Sequence, residues 1–211
     1  MDALSDKSKK PPHLRIAEPS PWVRRFAHLV PAAGTILDLT CGGGRHSRFF
    51  LDMGYKVVAI DRDLDCVADL RHRPDTELIQ ADLEDGSPWP LGGRTFAAVV
   101  VVYYVNRPLF RTLLDSLGPG GVFICESFAR GDKSVDWPSK LDHLLAGGEL
   151  LDLVRGRLQV VAYEHGVVES PFPDRPYPGV VQRICAVNDV NAGRGRKDGS
   201  PAHPLKPKSP T

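Results

Sequence analysis

Cysteine is scarce in this chain and spaced for no joint task. The 211 residues include four, Cys41, Cys66, Cys125 and Cys185, with no C-x-x-C pair. Neither a disulfide framework nor a zinc knuckle is therefore expected, and the thiols read as reduced and mostly buried. Histidines are equally dispersed. His46, His143 and His165 offer no H-x-x-x-H spacing backed by cysteines, which argues against a metal site. No apolar run approaches the ~18 residues of a membrane span, and the polar first residues lack the charged, apolar, small-residue succession of a secretory signal. These absences set the expectation of a cytoplasmic protein without a membrane partner. Charge of one sign is also missing overall, since 27 Lys and Arg stand against 26 Asp and Glu for a formal +1. Along the chain the balance is uneven: residues 1–13 carry +1 and residues 192–211 carry +4, which leaves −4 for the middle. An acidic body lacks the basic face of a nucleic-acid binder, so nucleic acid is not the expected partner.

At 42% hydrophobic residues, the length suits one globular domain with a sizeable core. Residues 1–13, with Lys9-Lys10-Pro11-Pro12, and residues 192–211, rich in Gly, Pro and Lys, have the composition of disordered tails. The expected domain is residues 14–191. Strand-like runs at 36–40, 56–61, 77–80, 96–103 and 121–126 alternate with helix-like stretches at 45–53, 63–71 and 107–117, the rhythm of a parallel sheet. Val99-Val100-Val101-Val102 is apolar on both sides, as a central strand covered by helices requires, and is expected beside the first strand. Ser20 precedes Pro21-Trp22-Val23-Arg24-Arg25-Phe26-Ala27-His28-Leu29-Val30 as an N-cap, and this helix-like stretch is a candidate lid. Beyond residue 130 come a helix-like 140–154 and two runs, 157–165 and 179–187, expected to close as a hairpin around a proline-rich loop. The fold class that results is α/β: a doubly wound, mostly parallel, seven-stranded Rossmann-like sheet with helices on both faces and an antiparallel C-terminal hairpin.

Three strand ends in succession carry a carboxylate. Ile36-Leu37-Asp38-Leu39 runs into Thr40-Cys41-Gly42-Gly43-Gly44, Val57-Val58-Ala59-Ile60 ends in Asp61, and Leu78-Ile79-Gln80-Ala81 ends in Asp82-Leu83. Glycines after a buried strand let the backbone approach a ligand closely. An acid at the end of the second strand suits a ribose diol, because a carboxylate can accept from two hydroxyls. Asp82 with the backbone of Leu83 suits an exocyclic amine and a purine edge. Each residue has a plainer role as well. The glycines can turn a strand into a helix, Asp61 can cap the helix beginning at Asp63, and acids such as Asp82 are common in turns. Arg62 can lie over a base or in solvent.

The order Asp-Leu-x-Cys-Gly-x-Gly, strand-Asp, Ala81-Asp82-Leu83 and then Leu117-Gly118-Pro119-Gly120-Gly121 resembles the class I S-adenosylmethionine-dependent methyltransferases over residues 20–190. The run Tyr103-Tyr104-Val105-Asn106-Arg107-Pro108-Leu109-Phe110 with Glu126-Ser127-Phe128-Ala129 is most similar to the small tellurite-resistance (TehB-like) branch. The resemblance implies S-adenosylmethionine as cofactor, held by Asp38, Thr40, Cys41, Gly42, Gly43, Gly44, Asp61, Arg62, Asp82 and Leu83. It also implies a small-molecule methyl acceptor (a thiol, a metalloid oxyanion or another metabolite), handled by a monomer or homodimer. Asp38, unusual inside an apolar strand, is placed by it near the amino group of the methionine moiety. One position departs from the pattern: the first glycine of Asp-x-Gly-x-Gly-x-Gly is Thr40.

The acceptor end is expected beyond the fourth and fifth strands, which brings in Tyr103, Tyr104 and Asn106 as candidate catalytic residues and Glu126 beside them. Two consecutive tyrosines at a strand end should point opposite ways, one into the cleft and one into the core, and either ring has the π face to hold a sulfonium. Asn106 can instead cap the helix at Arg107, Glu126 can pair with a base, and Arg183 in the last strand can form a salt bridge within the sheet. His46, in the first turn of a helix, is expected to be exposed. Three competing readings are a donor-binding protein without catalysis, an NAD(P)-dependent oxidoreductase and an RNA or protein methyltransferase. Against the second, Ser47 replaces the third glycine of the dinucleotide fingerprint. Against the third, no Asn-Pro-Pro-Tyr-like motif follows the fourth strand.

Overall fold

The computed structural model describes residues 14, 16–131, 141–169, 178–189 and 202–206. The expected tail 1–13 and most of the tail 192–211 lie outside them, as does residues 170–177 of the proline-rich loop. Within the described residues the strands are β1 (Thr35–Leu39), β2 (Lys56–Asp61), β3 (Thr76–Gln80), β4 (Phe96–Val102), β5 (Leu117–Phe128), β6 (Gln159–Val168) and β7 (Gly179–Val187). They form one sheet in the order β3-β2-β1-β4-β5-β7-β6. The first five are parallel, and β7 runs antiparallel to both β5 and β6. Neighbouring sequence runs thus wind outward in both directions from β1 and β4, and the closing hairpin appears as expected.

Side-chain alternation along the strands divides the core into two layers. Leu37 and Leu39 of β1 and Val99 and Val101 of β4 face α3 (Arg107–Asp115) and α4 (Glu149–Val154), where Phe110, Leu113 and Leu150 are buried. Ile36 of β1 and Ala98 and Val100 of β4 face α1 (Pro21–Phe26) and α2 (Arg45–Asp52), against Trp22, Phe26 and Phe50. Burial on both faces is why these strands read as unbroken apolar runs.

Two helices differ from the sequence expectation. The stretch 63–71 forms a 3₁₀ segment, Asp65–His72, with a kink at Val67. Its start is occupied by consecutive turns in which Asp61 accepts from the Asp63 amide at 3.1 Å and Asp63 from the Asp65 amide at 2.9 Å. Such side-chain turns compete with regular helix. The stretch 140–154 breaks into a 3₁₀ turn, Leu141–His143, and α4, because Gly148 takes φ +75° at the helix entrance. From the expected C-terminal tail, Pro204 lies against α1's continuation, where its carbonyl is 2.9 Å from His28 Nε2.

Gly34, entering β1, has no room for a side chain: a Cβ there would stand 2.1 Å from the Ala97 Cβ. Gly34→Ala should cost about 1–3 kcal/mol by overpacking, and Ala97→Gly in the same chain should recover most of the loss. Urea unfolding of the single and double variants checks this, and an unchanged single variant would contradict the packing.

Candidate functional site

The order of the sheet reverses between β1 and β4, and at the carboxyl ends of these strands lies a cavity of about 770 Å³. Open α/β sheets bind ligands at this point. One wall is the glycine loop. β1 ends at Leu39, and Thr40 turns out of the sheet with φ +52° while its hydroxyl donates to the Leu39 carbonyl at 2.7 Å. A β-branched residue in the left-handed region is strained. Gly42 follows with φ +53°, and its amide donates to Asp61 Oδ2 at 2.8 Å, which ties the loop to the end of β2. Gly43 packs against the N-terminal segment, since a Cβ there would sit 2.6 Å from the Leu14 carbonyl oxygen. Thr40, Cys41, Gly42 and Gly43 line the cavity. Gly44 does not; with φ +74° it starts α2, and a Cβ on it would meet Val67 at 2.5 Å.

Asp38 lies beneath the loop, 2% exposed, with Oδ2 accepting from Ser47 Oγ at 2.6 Å. Burial pushes its carboxyl up to about 6, against the lowering effect of the Ser47 hydrogen bonds and of the nearby Arg45 charge. His46 is not exposed. It is 4% accessible, its Nε2 accepts from the Ser20 amide at 3.2 Å, and its Nδ1 stands 3.9 Å from Asp38 Oδ1. Burial holds the imidazole neutral, down to about 3, with Arg45 adding to the effect. The expectation failed because α1's entrance packs over the first turn of α2 and takes the ring as a hydrogen-bond acceptor.

On the other side of the loop, Asp61, Arg62, Asp82 and Leu83 all line the cavity. Asp82 Oδ1 accepts from the Glu84 amide at 2.9 Å, so it organises its own turn as well. Asn106 stands outside the lining and does not cap α3. Its Nδ2 donates to the Leu83 carbonyl and to the Tyr104 hydroxyl, both at 3.1 Å. It therefore joins the β3 loop to the β4 loop.

Tyr103 and Tyr104 both line the cavity, contrary to the expectation that one would turn into the core. Tyr103 has φ +59°, which ends strand alternation at Val102 and swings its ring onto Phe128, with centroids 4.8 Å apart and planes at 17°. Its hydroxyl donates to Glu126 Oε1 at 3.2 Å. Burial, then the Glu126 charge, pushes the phenol up, so it stays protonated. Glu126 is 1% exposed and also receives Arg183 Nε at 3.0 Å and the Ser20 hydroxyl. Arg183 thus forms the intrasheet ion pair. The helix considered as a lid is core instead, with Trp22 and Phe26 buried, and the segment before it, Leu14 and Ile16, borders the cavity. Ile16, Arg45, Phe128 and His143 are further lining residues that sequence reasoning had not placed there; only Arg45, following the third glycine, had a positional signal.

Residues 36–121, from β1 into β5, match the family model described as a methyltransferase domain. The match identifies this stretch as a methyltransferase domain, for which S-adenosylmethionine is the implied cofactor. No curated protein matches the chain. Among solved structures it is similar to TehB from Haemophilus influenzae, with 17% identity and a TM-score of 0.65 over 77% of this chain and 60% of that one. It thus spans less than two thirds of that protein's length. A TehB-like S-adenosylmethionine-dependent methyltransferase from Corynebacterium glutamicum aligns at 18% identity and a TM-score of 0.55, covering 80% of this chain and 87% of that one. The glycopeptide N-methyltransferase MtfA, complexed with S-adenosylhomocysteine, aligns at 21% and 0.52, covering 79% and 88%. At these identities the structures speak for the fold.

The residues of the methyltransferase domain fit the cofactor. Gly42 and Gly43 bring the loop backbone to the cavity wall with no side chain in between. Each Asp61 oxygen accepts one backbone amide, which leaves a lone pair on each for a ribose hydroxyl.

Two outcomes follow for the donor-free protein. Thr40→Gly should raise stability by about 1 kcal/mol, as relief of left-handed strain outweighs the added chain entropy, read as a higher urea midpoint. Asp38 titrates higher folded than unfolded, so its contribution is full below about pH 4 and is lost as pH rises through about 6. The neutral His46 works in the opposite direction as pH falls. Thermal unfolding of Asp38→Asn beside the wild type isolates the carboxyl: the variant should gain relative stability between pH 4 and 7, by up to about 3 kcal/mol. A constant difference across that range would contradict the assignment.

Proposed function

We propose that the protein transfers a methyl group from S-adenosylmethionine to a small-molecule acceptor and releases S-adenosylhomocysteine. The observation that carries this reading is the continuity of one cavity, from the glycine loop and Asp61 at one end to Tyr103 and Phe128 at the other. Its volume falls within the roughly 300–1,000 Å³ typical of small-ligand sites, which supports an acceptor of modest size once the donor is in place. A thiol, a metalloid oxyanion or another small metabolite fits that description. The four free cysteines accord with a reducing cytoplasm, where we place the protein. No helix of the described residues is long and apolar enough to cross a membrane.

In this reading Asp61 receives the ribose hydroxyls, Leu83 and Asp82 take the adenine edge, and the glycine loop with Asp38 beneath it holds the methionine end. When bound, S-adenosylmethionine supplies a methyl group on a sulfonium, whose carbon–sulfur electron pair returns to sulfur as an acceptor lone pair forms the new bond. The chain contributes alignment and exclusion of water, which can account for roughly 7–11 kcal/mol in favourable cases. Asn106 fixes the Leu83 carbonyl and the Tyr104 hydroxyl relative to each other, so it acts as a positioning residue. Tyr103, kept protonated, presents a ring and not a base.

The test is turnover with methyl-labelled donor and a panel of thiols, selenite, tellurite and small carboxylates. Acceptor-dependent formation of S-adenosylhomocysteine is expected. In the same assay Asp61→Ala should raise the donor KM about 10–100-fold, the loss of hydrogen bonds to a charged acceptor, while Tyr104→Phe leaves it unchanged. Tight donor binding with no turnover across the panel would instead make the protein a non-catalytic adenosyl-cofactor binder.

A further inference from the structure

The two ends of the cavity are lined differently. Asp61, Asp82 and Glu84, with Arg62 among them, border the end proposed for the adenosine of the donor, whereas Arg45 stands between Asp38 and the aromatic end at Tyr103. Arg45 is half-buried, its Nη1 donates to the Glu18 carbonyl at 3.2 Å, and its guanidinium carbon stands 5.7 Å from the centroid of the Tyr103 ring. Among the described residues no carboxylate forms an ion pair with it. Glu126 and Asp38 act on it through their charge without pairing with it, being hydrogen-bonded by Ser20, Tyr103 and Arg183 and by Ser47 respectively, and it also shares a hydrogen bond with Tyr103. Arg183, by contrast, pairs with both Glu126 and Glu164. A partly buried guanidinium with no carboxylate in direct contact is only partly compensated, and an anionic ligand would supply the missing pair.

Beyond the polar contacts of Arg45, the cavity wall at Tyr103 is apolar. Phe128 and Val181 are buried beyond it, with Ile16, Leu144 and Val168 packed around them. The strained backbone at Tyr103 is what sets its ring between this patch and the guanidinium. A hydrated inorganic oxyanion gains nothing from such a wall. A small organic anion with an apolar body gains from both parts, through a charge-assisted hydrogen bond at one end and burial at the other.

Resting on the methyl-transfer reading, we propose that Arg45 and the Tyr103–Phe128 wall are the acceptor subsite, and that they select a small apolar carboxylate. The same guanidinium chemistry would also suit the carboxylate of the donor's methionine moiety, and the experiment separates the two sources.

Benzoate, its neutral isostere benzamide and selenite are titrated calorimetrically into the full-length protein, with and without S-adenosylhomocysteine. S-adenosylhomocysteine and 5′-methylthioadenosine, which lacks the amino-acid end, are titrated separately into wild type, Arg45→Gln and Arg45→Lys. The wild type should bind benzoate at least about tenfold more tightly than benzamide or selenite, in keeping with one charge-assisted bond. Arg45→Gln should abolish that preference, Arg45→Lys should keep part of it, and the two adenosyl compounds should bind all three proteins alike. Equal affinity for benzoate and benzamide in the wild type overturns the proposal without recourse to any variant. Loss of S-adenosylhomocysteine but not methylthioadenosine affinity in Arg45→Gln, with benzoate unaffected, overturns it in favour of the donor carboxylate. If S-adenosylhomocysteine fails to bind the wild type, the donor reading falls, and the benzoate comparison on donor-free protein still decides the role of Arg45.

Discussion

β1 and β4 lie side by side with both faces covered by helices, so any polar group they carry must either find a partner inside or sit where the strand leaves the core. The geometry of the site follows from that constraint. Both strands end in residues with positive φ that are not glycine, Thr40 and Tyr103, and both of these face the same cavity. Asp38, the single charged residue in either strand, has Ser47 as its partner and is held by burial at a titration point far from that of an exposed carboxyl. The strained ends and the displaced titration concentrate at one place, as expected where a ligand is to be held in a set geometry.

A second set of contacts connects that place to the outer part of the sheet. Ser20 caps α1 through the Trp22 amide, gives its own amide to His46 on α2, and gives its hydroxyl to Glu126 on β5. Glu126 in turn receives Arg183 from β7. One residue at a helix entrance therefore joins both helices of one face to the β5–β7 pair. The segment just before it passes over the glycine loop closely enough that a side chain on Gly43 would collide with its backbone. Cavity wall and N-terminal entrance are in this way parts of one assembly, and a change at Ser20 would be felt at the loop and at Tyr103 together.

The parallel core and its hairpin were legible in the sequence because their requirements are on composition: β-branched runs for strands buried on both faces, glycine where backbone meets backbone. Gly42, Gly43 and Asp61 lie together for a related reason, since glycine suits a close approach and a carboxylate at a strand end can accept at both oxygens. What escaped the sequence was set by tertiary contact. Alternation implied that Tyr103 and Tyr104 diverge, and only the left-handed turn at Tyr103, imposed between Phe128, Glu126 and Arg45, brings both to the cavity. A histidine in a first helical turn reads as exposed, and His46 is covered by an entrance that lies 26 positions away. Asn106 occupies a capping position but spends its amide on Leu83 and Tyr104, a choice visible only once the β3 and β4 loops are adjacent.

Methyl transfer requires the strand-end cavity to be a site for an adenosyl sulfonium donor and not for a dinucleotide. Calorimetric titration of the full-length protein with S-adenosylmethionine and S-adenosylhomocysteine, beside NAD and NADP in the same buffer, tests this most directly. Both adenosyl compounds should bind saturably, one to one, and neither nicotinamide should bind. Binding of a nicotinamide with silence toward the adenosyl pair would contradict methyl transfer.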